Sequence, residues 1–289
     1  MNEQNNLSIA AKILKQSLIY IELVIVAVIV IYPLLWIIGT SVEPIAGTAT
    51  INPIPRSPTL ANYIRLFNNS RFDYPRWFLN TGYVAILTSV FSVLVHTLTA
   101  FIFARFKFKG KKAALLTVML LQVFPSFMAV TAFYMIAQTF NMLNNLNMLI
   151  IIYVGTGFPV NLWLIKGNLM NLPRSIDEAA YIDGATKLQV FTRIILPLST
   201  PIMSFVALTS FMMPWMDYMI PQFLLGKMDK WTIALGLFDM VRVTNTGKDY
   251  DITGFCAGAV LIAIPITILY MIGQRYLIAG LAAGANKGE

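Results

Sequence analysis

One cysteine and one histidine are all that the 289-residue sequence holds of those two residue types. Cys256 by itself excludes an internal disulfide framework, and Cys256 and His96, distant in the chain, make no metal-binding set. Charge is scarce too: Asp, Glu, Lys and Arg together are 12% of the residues, against 57% hydrophobic ones and a mean hydropathy of +0.70. An ordinary soluble domain cannot bury that much apolar side chain, so the composition implies an integral membrane protein in contact with membrane lipid. There is no G-x-x-x-x-G-K-[ST], hence no backbone cradle for ATP phosphates. A Ser/His/Asp set, a paired-carboxylate site and an H-E-x-x-H are missing as well, which argues against an enzyme. The formal charge of +8 does not imply nucleic acid, because the basic residues gather at the ends of apolar runs, where membrane topology accounts for them.

What the chain does have is long apolar runs. Six are expected as transmembrane helices, at about residues 18–38, 78–103, 113–137, 148–165, 201–225 and 252–270, since roughly 20 apolar residues in a helix cross the hydrocarbon of a bilayer. The first has too long a core for a signal peptide and reads as a retained span. Behind the second come Arg105, Lys107, Lys109, Lys111 and Lys112, the densest basic cluster, which assigns that loop to the cytoplasm. Lys12, Lys15, Lys166, Arg174, Lys187, Arg193, Arg275 and Lys287 then fall on the same side, leaving 8 of the 21 lysines and arginines outside. The expected arrangement is one all-α transmembrane domain, residues 1–289, with both termini in the cytoplasm.

The longest charged interruption, residues 172–199, reads as a helix, a turn and a second helix outside the lipid. Ser175 and Glu178 have the S-x-x-E spacing of a capping box, with Pro173 upstream and Asp177 adding negative charge to the first turn. Ala179 and Ala180 leave little bulk on this helix, which suits insertion into a cleft of another protein. Gly184 supplies a stop, because it can adopt the left-handed conformation that ends a helix. A second segment is expected from about Thr186 to Leu196, before Pro197.

These residues carry a resemblance. Glu178-Ala179-Ala180, Asp183-Gly184-Ala185, Phe191, Ile195, Leu196-Pro197-Leu198 and Pro201 resemble the EAA loop of permease subunits of ABC importers. Pro58-Thr59-Leu60-Ala61-Asn62-Tyr63 resembles the P-T-L-x-N-Y segment after the first span of that family. Gly280-Leu281-Ala282-Ala283-Gly284 with Lys287-Gly288 resembles the tail of its MalG-like members. The resemblance implies a type I ABC importer permease fold with a cytoplasmic coupling helix, in which Glu178, Ala179, Ala180, Asp183 and Gly184 dock on an ATPase. It implies a heterodimer with a larger permease subunit, two cytoplasmic ATPase subunits that bind ATP and Mg, and an extracytoplasmic sugar-binding protein. It places the chain in a bacterial cytoplasmic (inner) membrane, with an oligosaccharide as cargo, maltose or maltodextrin favoured and another glycan, such as an acidic polysaccharide fragment, as the alternative. A tail inserted between the ATPase subunits is also implied.

A second informative stretch is Pro214-Trp215-Met216-Asp217-Tyr218-Met219-Ile220-Pro221. An ionisable Asp217 inside a span costs about 2.5 to 3.5 kcal/mol on insertion scales, so it is expected to face protein or a watery path. Trp215 and Tyr218 offer flat faces suited to sugar rings, or pack as core. Asn161 and Gln122 complete the candidate substrate path. Gly254 and Gly258 have the G-x-x-x-G spacing of close helix approach. By resemblance, the polar segment with Asn245, Gly247, Lys248 and Tyr250 reaches the binding protein, though a plain solvated loop reads equally well. A rival function, an ATP-independent secondary sugar carrier, calls for inverted repeats and ion-coupling carboxylates; the sequence has no visible repeat, and besides Glu22, near the start of the first run where it can reach the interface, its runs hold only Asp217.

Overall fold

The computed structural model describes residues 2–44, 55, 57–68, 72–123, 128–242 and 251–285, with side chains left out for residues 2–11, 13 and 275–285. Among the described residues there are thirteen α-helices, a π-helical segment, a 3-10 turn and no strand. They fall into two units: Met1–Asn69 with Met240–Leu261, and Ser70–Asp239 with Ile262–Glu289.

In the first unit α1 (Asn2–Ser41) and α2 (Ala61–Asn68) join the start of α13 (Ile252–Ala285). The apolar part of α1, Leu14–Ser41, buries none of the side chains in its most hydrophobic stretch among the described residues, as a lipid-facing helix would. Its C-terminal end is tied down. Asn62 Nδ2 donates to Ser41 O (3.0 Å) and Glu43 O (2.8 Å), meeting carbonyls that a helix terminus leaves unpaired. Ser41 gives its hydroxyl proton to Ile38 O (2.6 Å), so the 2.8 Å bond between Ser41 Oγ and Tyr63 Oη has the tyrosine as donor. The asparagine and tyrosine of the P-T-L-x-N-Y segment thus close the first span. Arg65 reaches from α2 to Asp251 Oδ1 (2.8 Å) and Thr253 Oγ1 (3.0 Å). Asp251 Oδ1 also accepts from Gly254 N (2.9 Å) at the start of α13. A Cβ on Gly254 would come within 2.6 Å of Asp251 Oδ2. The bareness of Gly254 therefore makes room for this cap.

The second unit is built on α3 (Tyr74–Arg105), packed along α6 (Leu146–Asn171) and α10 (Thr200–Met216). The buried stripe of α3 runs Trp77, Thr81, Ala85, Thr88, Ser92, His96, Ala100 and Ala104, one residue per turn and mostly small. In lipid, where the hydrophobic effect gives helices no reason to associate, such a stripe lets backbones approach and gain packing contacts. One apolar cluster, with Phe101, Leu162, Ile165, Leu169, Ile195 and Val206, lies at the Arg105 end of α3. A second, with Val84, Leu149, Ile152, Tyr153 and Leu224, lies nearer its Tyr74 end.

Where the sequence suggested one span at residues 113–137, two helices stand, α4 (Lys111–Val123) and α5 (Ala129–Thr139), with residues 124–127 outside the description. The run at 201–225 is also divided, into α10 and α11 (Met219–Leu224), and α12 (Ile233–Val241) follows. By length and apolarity four helices of the described residues can cross a bilayer, and a fifth counts if the bent pair Lys187–Leu198 and Thr200–Met216 is taken as one span.

Candidate functional site

The loop between α6 and α10 is held by backbone chemistry at every joint. Leu172 and Pro173 are extended (ψ 129° and 134°), so α6 stops and α7 (Arg174–Ile182) starts at once. Ser175 consequently falls inside the first turn of α7, and the helix has no side-chain cap where the S-x-x-E spacing suggested a capping box. The capping box of the loop is one helix later. Thr186 Oγ1 accepts from Gln189 N (3.3 Å), and Gln189 Oε1 accepts from Thr186 N (2.7 Å), opening α8 (Lys187–Val190). The T-x-x-Q pattern was there to be read.

Gly184 has φ +83°, Ala185 N bonds to Ala180 O (2.9 Å) and Gly184 N to Tyr181 O (3.1 Å). This pair of bonds is the Schellman stop of a helix, and its left-handed residue favours glycine. Beyond α8 the backbone widens into a π-helical stretch, Phe191–Ile195, with Leu196 N bonded to Phe191 O, before the short α9 (Leu196–Leu198). Pro197 explains the widening, because it brings no N–H and its ring crowds the carbonyl four residues back. The chain then bends by 79° into α10.

The two faces of α7 are chemically distinct. Asp177 and Ala180 are buried, and Ala180 belongs to the apolar cluster that includes Ala104, Leu169 and Phe191. Outward lie Glu178, Ala179, Asp183, Tyr181 and Ile182, the last 86% exposed, and α8 adds Leu188 at 67%. Glu178 forms no ion pair among the described residues. Asp177 Oδ2, in contrast, is 2.7 Å from Arg105 Nε at the end of α3, and Arg105 Nη1 and Nη2 both donate to Leu172 O (3.2 and 3.3 Å). No local pattern announces this pairing, since its partners sit on separate helices. Burial pushes the Asp177 carboxyl above its ordinary range, with Arg105 and Arg174 pulling it down and Glu178 pushing it further up. Beside the pair is a pocket of about 240 Å³ lined also by Phe106, Arg174, Glu178, Tyr181 and Lys187. Burial, and the like charges of Lys166 and Arg174, lower the pKa of nearby Lys111.

The Pro214–Pro221 stretch is where α10 breaks. Asp217 Oδ1 accepts from Met219 N (2.8 Å) and Ile220 N (3.4 Å), and its Oδ2 from Tyr153 Oη (2.9 Å). The carboxylate thereby serves the freed backbone at the start of α11 and ties it to α6. Trp215 is buried against Phe78 and Phe211, at 5.0 and 6.0 Å between ring centroids, and Tyr218 stacks on Phe238 at 4.4 Å. Asn161 Nδ2 donates to His96 Nδ1 (3.1 Å), which leaves His96 Nε2 protonated and donating to Val154 O (3.0 Å). Gln122 is exposed on α4. Asn245, Gly247, Lys248 and Tyr250 lie outside the described residues, as do Lys287 and Gly288.

Residues 96–282, which include this loop and both of its flanking helices, match the family described as "Binding-protein-dependent transport system inner membrane component". The chain belongs to this family. A galactooligosaccharides transport system permease protein of Bacillus subtilis (strain 168), GanQ, is 38% identical to it over 93% of this chain and 94% of its own length. A maltodextrin transport system permease protein of the same organism, MdxG, is 36% identical over 96% and 98%. These relatives bear out the resemblance to MalG-like permeases. Among solved structures, a bacterial ABC transporter involved in import of the acidic polysaccharide alginate superposes with a TM-score of 0.76 at 20% identity, over 89% of this chain and 94% of that one, and so shares its fold. As an inner membrane component the chain is a multi-pass membrane protein, a transport subunit and not an enzyme; in such systems ATP is bound by separate subunits.

Proposed function

We propose that this inner membrane component is one half of a heterodimeric oligosaccharide permease, driven by two ATPase subunits and supplied by an extracytoplasmic sugar-binding protein. Six spans carry it, with α4 and α5 together making the third and α10 with α11 the fifth, and both termini lie in the cytoplasm. Mechanism follows alternating access: closure of the ATPases on ATP and Mg displaces α7, and the spans open outward to receive sugar.

The observation that carries the reading is the outer face of α7 and α8. Ile182 and Leu188 are exposed apolar residues beside exposed Glu178, on a short helix anchored at its back. An apolar patch of this kind with charges at its side fits a cleft on a partner. Glu178, Ala179, Ala180, Asp183 and Gly184 form or support that face. For cargo, the relatives favour neutral oligosaccharides: maltodextrin, and galactooligosaccharide as the second reading that the 38% relative supports. Trp215, Asp217, Tyr218, Asn161 and Gln122 remain the proposed path residues, with Asp217 fixing the broken helix that borders it. Asn245, Gly247, Lys248 and Tyr250 are proposed to meet the binding protein, and the tail to enter between the ATPases.

The experiment is purification of the chain with its neighbours followed by reconstituted uptake. An ATPase that co-purifies, with uptake of malto- or galactooligosaccharide that stops with vanadate, is the expected result. Uptake that persists without ATP would favour a secondary carrier instead.

A further inference from the structure

The outer face of α7 explains how the helix is gripped, but a nine-residue helix that buries only Asp177 and Ala180 has little apolar contact to resist being levered off. Its attachment is electrostatic. One guanidinium, that of Arg105, meets three helix ends at once: it closes α3, pairs through Nε with Asp177 Oδ2 in the first turn of α7 (2.7 Å), and bonds through both Nη atoms to the carbonyl of Leu172, the residue that caps α6. The two charged side chains are only 6% and 9% exposed, and both Asp177 Oδ1 and Arg105 Nε are buried with no hydrogen-bond partner among the described residues, so the 2.7 Å contact is a charge pair without an aligned N–H. A buried pair with an unfilled acceptor is a poor device for stability, because desolvation offsets most of the attraction. It is a good device for placement, since two Nη donors on one carbonyl hold the guanidinium at the end of α6 and the short ion-pair contact then sets the distance of Asp177 from it.

We propose that Arg105 is a positioning residue for transport, with Asp177 as its partner: the joint through which a displacement of α7 is passed to α3 and α6 as a rigid movement. The inference rests on α7 being the element docked on an ATPase. From Arg105 the movement enters the small-residue stripe of α3, which is packed against α6 and α10, so the joint stands at the head of the path from ATPase to spans. The outer residue Glu178 contacts the partner; the inner residue Asp177 holds the lever.

The test uses the complete transporter reconstituted with its binding protein, reading sugar taken up per ATP hydrolysed. Asp177→Asn and Arg105→Lys are expected to retain ATPase co-purification and hydrolysis while uptake per ATP falls at least about fivefold. A Cys pair, Arg105→Cys with Asp177→Cys, separates a joint from a mere fold contact. Bridged by a short bifunctional thiol reagent it is expected to regain uptake per ATP, and unbridged to stay uncoupled. Wild-type coupling in Asp177→Asn, or in the unbridged pair, overturns the inference, and so does a bridged pair that hydrolyses ATP without uptake. If the wild-type chain itself shows no ATP-dependent uptake, it is the docking reading that fails.

Discussion

Trp77 occupies the space that a side chain on Gly236 would need: a Cβ there would lie 2.0 Å from Trp77 Cε3. The indole is fully buried and donates from Nε1 to Met228 O (3.1 Å), so it is held from two sides and cannot retreat. Gly236→Ala is therefore expected to destabilise the second unit by about 1–3 kcal/mol, the usual cost of overpacking. A thermal melt of the purified complex checks this, and an unchanged midpoint would show that the indole yields.

Asn62 is the clamp at the end of α1. Replacement by Ala leaves the carbonyls of Ser41 and Glu43 without their donor, a cost of about 1–3 kcal/mol for each one that stays buried. The expected outcome is faster proteolysis in the segment after α1 with membrane insertion unchanged, read by limited digestion of membranes. Asn62→Asp, which keeps the size and loses both donors, should behave alike.

Gly184→Ala strains a backbone at φ +83° by about 1–2 kcal/mol. Gly184→Pro does more, since it fixes φ near −65° and deletes the N–H that meets Tyr181 O. Both chains are expected to insert. The proline variant should lose sugar-stimulated ATP hydrolysis, and normal stimulation in it would count against the role given to this turn.

Ile182→Asp places a charge on the most exposed apolar residue of the loop without touching the inner face of α7. ATPase recovery in a pull-down is expected to drop at least tenfold, whereas Leu79→Asn, exposed on α3 far from the loop in sequence, should not change it.

The acid side of the pH profile follows from Asp177. Its pKa is raised in the folded protein by burial, so the fold binds that proton more tightly than the unfolded chain does. Its contribution to stability is then present at low pH and is lost as pH rises through the raised value. Acidification through the range between the raised and ordinary values neutralises Asp177 opposite Arg105, Arg174 and Glu178, weakening the ion pair while this group does not promote unfolding. Uptake per ATP should fall with pH over that range before the complex dissociates, and Asp177→Asn should flatten the fall.

Much of this was legible along the chain. Apolar runs announced α3, α6 and α13, because a helix in lipid must be apolar over its whole length. Gly184 announced its stop, because a left-handed residue has few candidates. Ser175 misled, since two extended residues, Leu172 and Pro173, brought the start of α7 forward by two residues and placed the serine where its hydroxyl has no cap to make. Asp217 read as a buried charge in need of a distant purpose, and much of its bonding is to the backbone two and three residues on. Arg105 with Asp177, and Asn62 with Ser41, were out of reach for a different reason: each pairing depends on how separate helices meet, and no periodicity within one helix encodes that.

The bareness of α1 sets a rule for engineering. A helix whose most hydrophobic stretch buries no side chain against the described residues answers there to whatever surrounds it, so that stretch could be rewritten with unrelated hydrophobic residues while its clamped end folds as before. Any loss of function from such a graft would map the footprint of a neighbour.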